Sequence, residues 1–250
     1  MNDKDYEDFI STVSHELRTP LTSIRGFSQT MLASWDKLDD ESKKKFLKII
    51  VDQSNRLINL VENMLSVTKL QNTKDNLIYK EVQVKPVVEM ITSIVKNQYR
   101  DKNFNIEISD KIPPVLADKD KFQQIMTNLT ENAAKYGYEN STITIKANLI
   151  QDMVAISVIN KGEERSFTII AYPIPEIGKD YEKIFTKFSR IDNPLTRKVQ
   201  GSGLGLYITK NLIEKMCGKI SVKSENNETI FEVTLPAANI ERQAREKCSQ

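Results

Sequence analysis

The only histidine of this 250-residue chain, His15, lies in a segment that offers it chemical partners. Residues 14–21 read Ser-His-Glu-Leu-Arg-Thr-Pro-Leu. The carboxylate of Glu16 can accept a proton from one imidazole nitrogen, which leaves the other nitrogen free as a nucleophile. Thr19 lies four residues further on, one helical turn away on the same face. A lone histidine is more often packed or solvated, but these neighbours make His15 a candidate acceptor of a phosphoryl group.

A second set of residues could hold a phosphorylated ligand. Asn128 and Asn132 are spaced i, i+4 in a helical pattern, and an amide oxygen can ligate Mg²⁺. Residues 201–206 read Gly-Ser-Gly-Leu-Gly-Leu, a turn whose backbone amides can approach phosphates at the start of a helix. Each motif alone is weak evidence, because capping asparagines and tight glycine turns are common.

Taken together, these strings resemble the motifs of one family. Residues 14–27 resemble the histidine box of bacterial two-component sensor histidine kinases, and residues 124–136 resemble the asparagine box of their Bergerat-type ATPase domain. Residues 185–190 and the polar stretch after them resemble the phenylalanine box and ATP lid. The resemblance covers residues 7–236. It implies a kinase that moves the γ-phosphoryl group of ATP to its own histidine and then to an aspartate in the receiver domain of a response regulator.

The resemblance also implies residue roles and cofactors. His15 would be the phosphoacceptor, Glu16 the general base, and Thr19 the residue that positions water when the kinase hydrolyses the regulator's phosphate. The implied cofactors are ATP and Mg²⁺, with Asn132 as the metal ligand. The implied nucleotide contacts are Asn128, Asn132, Lys135, Tyr136, Asn160, Gly162, Arg190, Gly201, Gly203, Leu204 and Gly205.

The sequence departs from the family in its first glycine box. Asn160 replaces the family's aspartate in Asp-x-Gly-x-Gly; its carbonyl can still accept a hydrogen bond from the adenine amino group, but it is neutral. The 21 residues between Gly162 and Ile184 are also more than the family pattern leads us to expect. An alternative is therefore a nucleotide-deficient docking scaffold or phosphatase with a degenerate ATP site.

The elements that must position these residues fall into two groups. Apolar residues recur at spacings of three and four over 10–31 and 46–67, which predicts an antiparallel helical hairpin with Asp39 or Asp40 capping its second helix. Such a hairpin is too narrow to bury its own apolar stripe, so we expect a homodimer that forms a four-helix bundle, with His15 facing outward.

The rest of the chain predicts an α+β sandwich of the ATPase type, with helices on one face of a mixed sheet. Strands are expected at 142–147, 154–158 and 229–235, and helices near 85–100, 118–136 and 204–217. The expected division is 1–72 for dimerisation and histidine phosphotransfer, 73–77 for a polar linker, 78–236 for an ATP-binding catalytic domain, and 237–250 for a tail.

Bulk properties restrict the partners and the location. The 36 basic and 34 acidic residues nearly cancel to +2, so no nucleic-acid partner is expected. Cys217 and Cys248 have no metal-ligand spacing and imply no disulfide framework. No apolar run reaches membrane-spanning length, so we expect no membrane segment in this chain. The expected location is cytoplasmic, either as a free protein or as the cytosolic part of a receptor with an upstream membrane sensor.

Overall fold

The computed structural model describes residues 3–71, 77–161, 184–186, 203–225 and 228–238. The chain divides into two units, Met1–Gln71 and Asn72–Gln250. Each unit is described by itself.

The first unit is a helical hairpin. Helix α1 (Asp3–Ser34) leads through a 3₁₀ turn (Trp35–Lys37) into helix α2 (Asp40–Gln71). The predicted cap is confirmed at Asp39, whose Oδ1 accepts a hydrogen bond from the backbone N–H of Ser42 at 2.6 Å. This bond to the charged form lowers the pKa of Asp39 below its usual value.

Helix α2 has two apolar stripes. One faces α1 and includes Phe46, whose ring lies 5.1 Å from that of Phe27, and the buried Leu60 and Val67. The other stripe is exposed in the single chain and follows a heptad spacing; its members are Leu47, Val51, Ile58, Val61 and Leu65. The hairpin therefore buries only part of the apolar surface of its second helix.

The second unit combines helices with two sheets. A two-stranded antiparallel sheet pairs β1 (Tyr79–Val82) with β3 (Val115–Asp118). The larger sheet has the order β2-β4-β5-β7-β6, and only its β2–β4 pair is parallel. Its strands are β2 (Asn103–Ile108), β4 (Thr142–Ile150), β5 (Met153–Lys161), β6 (Lys219–Glu225) and β7 (Glu228–Pro236). The helices are α3 (Val84–Gln98), α4 (Lys119–Tyr136) and α5 (Gly205–Lys215).

Alternation along the strands places the apolar side chains of the large sheet on one face. Ile145 of β4 pairs with Val158 of β5, which in turn pairs with Phe231 of β7, and all three are buried. Helix α4 lies between α3 and α5 and contacts β4 and β5, with Phe122 and Leu129 fully buried. The predicted α+β fold, with helices on one face of a mixed sheet, is confirmed.

Two smaller expectations concern membrane-spanning helices and the cysteines. Within the described residues, no helix is both long enough and apolar enough to cross a membrane. Cys217 follows α5 with a φ of 59°, whereas Cys248 lies outside the described residues. The expectation that the two cysteines imply no disulfide framework therefore stays a prediction.

Candidate functional site

In the first unit, His15 and Glu16 point in different directions from α1. His15 is exposed in the single chain, whereas Glu16 is buried against α2. The Glu16 Oε2 accepts a hydrogen bond from Nη2 of Arg56 at 3.1 Å. Consecutive helical residues are separated by about 100° around the axis, which explains why one imidazole faces solvent while the adjacent carboxylate faces the other helix.

Thr19 and Pro20 lie one turn after the histidine. The Thr19 hydroxyl donates to the backbone carbonyl oxygen of His15 at 3.3 Å. Pro20 has no N–H to donate to the carbonyl of Glu16, yet α1 continues through it to Ser34. Thr19 therefore binds the backbone of the histidine and not its imidazole.

In the second unit, helix α4 presents the asparagine motif. Its N-terminus is capped by Asp118, whose Oδ1 accepts hydrogen bonds from the N–H groups of Asp120 and Lys121. Asn128 and Asn132 are half-buried on α4, one turn apart. Within the described part of the chain, the Asn132 carboxamide has no hydrogen bond, so its oxygen is available to a ligand.

The same helix ends in the lysine–tyrosine pair singled out by the sequence. The Lys135 Nζ lies 5.7 Å from the centre of the Tyr136 ring, and both side chains are half-buried. A cation close to an aromatic face is attracted by the ring quadrupole. The pair thus presents a flat aromatic surface and a positive charge at the C-terminal end of α4.

The glycine-rich turn meets the asparagine motif directly. The Asn128 Nδ2 donates to the Oγ1 of Thr209 in α5 at 2.7 Å. A Cβ added at Gly205 would overlap the Asn128 Oδ1. Gly203 has a φ of 66°, a conformation that favours glycine. Two motifs more than 70 residues apart in the sequence are therefore in contact, and Leu204, fully buried between the two glycines, fixes the turn in the core.

Asn160 lies at the end of the central strand β5. Strand alternation places it on the helix-facing side, in line with Val158 and Ile156, and it is only 3 % exposed. Its backbone partners are Ile143 of β4 and Thr229 of β7. A polar side chain at the end of an apolar row is suited to hydrogen-bond a ligand that enters between the sheet and the helices.

Three predicted residues, Gly162, Arg190 and Gly201, lie outside the described residues. Of the phenylalanine motif, Phe185 and Thr186 are described; Phe185 is buried, as is Ile184 just before it. The Lys210 Nζ of α5 lies 5.9 Å from the centre of the Phe185 ring. The start of the phenylalanine motif therefore packs beside the helix that the glycine turn opens.

Ionisable groups cluster near the C-terminal half of α4. Burial raises the pKa of Glu131 above its usual value, and the nearby charge of Lys135 opposes this shift. Burial also raises the pKa of Tyr99, with smaller contributions from Glu131 and Tyr136. Both side chains are half-buried, and partial removal from water strengthens electrostatic interactions between such groups.

The loop after α4 is held by a buried lysine. The Lys102 Nζ donates to the backbone carbonyl of Tyr138 at 2.8 Å and forms an ion pair with Asp101. The Tyr138 N–H donates to the carbonyl of Lys161 at 2.9 Å. The backbone of Tyr138 therefore links the loop after α4 to the end of β5, where Asn160 lies.

Sequence reasoning missed Arg56, Thr209 and Lys102. Each contacts a residue that the sequence did single out or the loop next to it, but the sequence does not show which residue each of them contacts. Their partners lie 36 to 81 positions away. Only the folded arrangement brings these pairs together.

No cluster of three or more His, Cys, Asp or Glu side chains that could hold a metal ion is found among the described residues. The Asn132 carboxamide can supply one oxygen ligand to a hard cation, beside backbone carbonyls and the ligand's own oxygens. This donor set fits a magnesium ion that arrives bound to phosphates, because Mg²⁺ keeps several waters and uses few protein ligands.

Two protein-family models match the chain. The His Kinase A (phospho-acceptor) domain matches residues 5–73. The histidine kinase-, DNA gyrase B- and HSP90-like ATPase domain matches residues 117–239. The first match contains His15 and the second contains the asparagine motif and the glycine-rich turn, so the two candidate regions lie in different domains.

Sequence relatives and solved structures agree with these models. The sensor protein kinase WalK of Staphylococcus epidermidis is 30 % identical over 243 residues, which are 96 % of this chain and 38 % of that protein. An uncharacterized sensor-like histidine kinase of Rhizobium meliloti is 29 % identical over 92 % of this chain and 42 % of its own length. The chain thus spans about two fifths of these relatives.

Among solved structures, histidine kinase ThkA in complex with the response regulator protein TrrA has a TM-score of 0.69 and 26 % identity, covering 94 % of this chain and 63 % of that chain. The Acinetobacter baumannii histidine kinase AdeS, at 21 % identity, has a TM-score of 0.65 and covers 89 % of this chain and 98 % of its own; it supports the fold.

Proposed function

We propose, on the premise that this chain belongs to the sensor histidine kinase family, that it transfers the γ-phosphoryl group of ATP to His15 and then to an aspartate of a response regulator. The observation that carries this proposal is the contact between Asn128 and the start of α5. It brings the asparagine motif and the glycine-rich turn into one site, as a nucleotide that needs both would require.

The nucleotide site is proposed to lie along α4 and the start of α5. Tyr136 and Asn160 would take the base, with Asn160 accepting a hydrogen bond from the adenine amino group. The backbone amides at Gly203, Leu204 and Gly205 would face the phosphates, where the helix N-terminus favours negative charge. Further contacts proposed from the family pattern are Lys135, Gly162, Arg190 and Gly201.

Asn132 is proposed as the protein ligand of Mg²⁺, because its carboxamide has no hydrogen bond within the described residues. When bound, the metal neutralises charge on the phosphates. Asn128, whose amide is engaged with Thr209, would support the phosphates by holding the start of α5.

The transfer step is proposed to use His15 as the nucleophile. An imidazole nitrogen forms a bond to the γ-phosphorus while the bond to the bridging oxygen breaks, and ADP leaves with that electron pair. The proton on the other ring nitrogen passes to the Glu16 carboxylate. In the single chain this carboxylate faces α2 and is bound to Arg56, so it would have to turn from Arg56 toward the imidazole to take the proton. The products are ADP and phosphohistidine.

The second transfer explains why His15 must be accessible. The regulator aspartate attacks the phosphorus of phosphohistidine, and the imidazole leaves. Thr19 is proposed to position water when the regulator's aspartyl phosphate is hydrolysed; in the single chain its hydroxyl binds the His15 carbonyl, so it already lies on the face of α1 that the regulator would approach.

The working form is proposed to be a homodimer. The exposed heptad stripe of α2, from Leu47 to Leu65, covers 19 residues, or about 27 Å of helix. A stripe of this length and spacing is typical of a helix that packs against another helix. A second copy of the hairpin would cover both stripes at once and form a four-helix bundle.

The domain limits and location follow from the same proposal. Residues 1–72 would form the phosphotransfer hairpin, 73–77 a linker, 78–236 the catalytic domain and 237–250 a tail. The location would be cytoplasmic, where ATP and response regulators occur. The relatives extend well beyond the matched region, so a sensor, including a membrane sensor, would belong to a longer protein.

Incubation of the purified chain with γ-labelled ATP and Mg²⁺ tests the kinase. We expect acid-labile, base-stable label on the wild type, no label on His15→Gln, and no label on Asn132→Asp, which should stay dimeric. Addition of a receiver domain should move the label to it. Label that persisted on His15→Gln would refute the site. No label together with no ATP binding by calorimetry would favour the alternative, a docking scaffold or phosphatase with a degenerate site.

A further inference from the structure

Thr209 lies one turn into helix α5 and faces the asparagine motif. It is 1 % exposed, and its Oγ1 accepts the hydrogen bond from the Asn128 Nδ2 at 2.7 Å. Gly205 lies four residues earlier on the same face of the helix. A carboxamide on α4 thus contacts two successive turns of α5.

The Asn128 carboxamide fits closely against Gly205. A Cβ at this position would overlap Oδ1 and would lie 3.1 Å from Cγ and Nδ2. Because Gly205 has no side chain and Thr209 supplies a hydroxyl, the flat amide is held between the two residues with its nitrogen directed to Thr209. A hydroxyl removed at Thr209 would leave that nitrogen without its buried partner.

This arrangement bears on the start of α5. The first N–H groups of a helix have no partners within the helix and are available to anions. Their position relative to Asn132 depends on how α5 packs against α4, and the Asn128–Thr209 bond is a side-chain hydrogen bond that joins these two helices. A shift of a few tenths of an ångström there would misplace the amides that face the phosphates.

We infer that Thr209 is a positioning residue of the nucleotide site: through Asn128 it holds the phosphate-facing start of α5 against α4. This inference rests on the proposed function and deepens it. The inference predicts different effects on binding of the phosphates and on binding of the nucleoside. Loss of the Thr209 hydroxyl should weaken binding of the phosphates and leave binding of the adenine and ribose nearly unchanged.

A purely structural role for Thr209 makes a different prediction. A buried threonine that only fills space would tolerate Val, which has nearly the same shape. The chain offers a matched control at Thr92 of α3, a buried threonine whose Oγ1 has no hydrogen-bond partner among the described residues. Thr92→Val makes the same chemical change where no hydroxyl contact exists.

Calorimetric titration of the full chain with Mg²⁺-ATP and with adenosine tests the inference. For Thr209→Val we expect the Kd for ATP to rise about tenfold, which corresponds to one lost hydrogen bond. The Kd for adenosine should change less than about twofold. Thr209→Ser, which keeps the hydroxyl, should bind ATP within about twofold of the wild type, as should Thr92→Val. Melting temperatures would show that each variant is folded.

The outcomes separate this inference from the function on which it rests. The role of Thr209 would be overturned if Thr209→Val bound ATP with the wild-type affinity, or if its affinities for ATP and adenosine fell equally. Either result would leave the proposed kinase function standing. A wild type that bound neither compound would overturn both. Asn128→Ala combined with Thr209→Val should bind ATP no more weakly than Asn128→Ala alone; additive losses would contradict action through Asn128.

Discussion

Arg56 of α2 donates a hydrogen bond from Nη2 to the Oε2 of Glu16 on α1 at 3.1 Å, directly beside the exposed His15. The two side chains are only 18 % and 10 % exposed. This ion pair ties the two helices of the hairpin together at the level of the proposed phosphoacceptor. It also fixes which way the carboxylate faces while leaving the imidazole outside.

Removal of the arginine should destabilise the hairpin. Arg56→Met would remove the positive charge beside the mostly buried Glu16 carboxylate, and breaking a buried ion pair typically costs roughly 3 kcal/mol of unfolding free energy. Urea unfolding at fixed protein concentration can be followed by the fluorescence of Trp35, the single tryptophan, which lies in the hairpin turn. The control is Asp40→Asn, which breaks the exposed Lys43–Asp40 pair and should barely move the midpoint.

The Glu16→Gln/Arg56→Met double variant should recover part of that loss, because no buried charge then remains unpaired. An unchanged midpoint in Arg56→Met would show that the pair does not stabilise the hairpin.

A charge on the exposed stripe of α2 should prevent dimerisation. Ile58→Glu would place a carboxylate where we expect a second copy to pack, and a burial cost of about 3 kcal/mol corresponds to a loss of about a hundredfold in dimer affinity. Light scattering after gel filtration should give twice the 28.6 kDa chain mass for the wild type and the single mass for the variant.

Asn59→Glu is the control for the stripe, since it adds the same charge at the neighbouring exposed position off the heptad. A dimeric Ile58→Glu variant, or a monomeric Asn59→Glu variant, would place the interface elsewhere.

Loss of the buried lysine should loosen the loop between α4 and β4. Lys102→Met would remove the charged donor to the Tyr138 carbonyl, which would keep the bond from the Ser141 N–H, and we expect a loss of about 1–3 kcal/mol. Native-state hydrogen exchange of the β5 amides, read by mass spectrometry, measures this change within the second unit. Lys85→Met, which removes the exposed pair with Asp110, should have little effect. Equal effects of the two variants would mean that the Lys102 contacts contribute nothing beyond a surface ion pair.

Glu131 should make the second unit less stable as the pH rises. Burial raises its folded-state pKa above the unfolded value, so its protonated form is favoured in the folded chain. Stability from this group is fully present below the unfolded pKa and is lost as the pH rises through the folded pKa. Glu131→Gln should therefore raise the melting temperature relative to the wild type at pH 7.5 more than at pH 4. An equal difference in melting temperature at both pH values would contradict an origin in the charge of Glu131.

The sequence was sufficient for features that local patterns encode. Apolar spacing located both hairpin helices, and the cap at Asp39 was one of two candidates that the polar break allowed. The strand expected at 142–147 is present, although β4 continues to Ile150. The family and the fold class are confirmed, and the assigned site roles stay predictions.

Contacts between distant segments were beyond the sequence. The β1–β3 sheet and the parallel β2–β4 pair join strands that no local pattern links. The same limit applies to Arg56 and Thr209, whose partners are 40 and 81 positions away. A string of residues shows that a helix has a polar face, but the element that covers this face is decided by packing of the whole chain.

The central place of β5 in the five-stranded sheet affects how the protein would lose its site on heating. Strands β2 and β6 are at the edges and can fray, whereas β5 is paired with β4 on one side and β7 on the other. Asn160, at the end of β5, is paired with Ile143 on one side and Thr229 on the other, so fraying of the edge strands alone does not release it. Adenine recognition through Asn160 would persist through partial melting and disappear in one cooperative step.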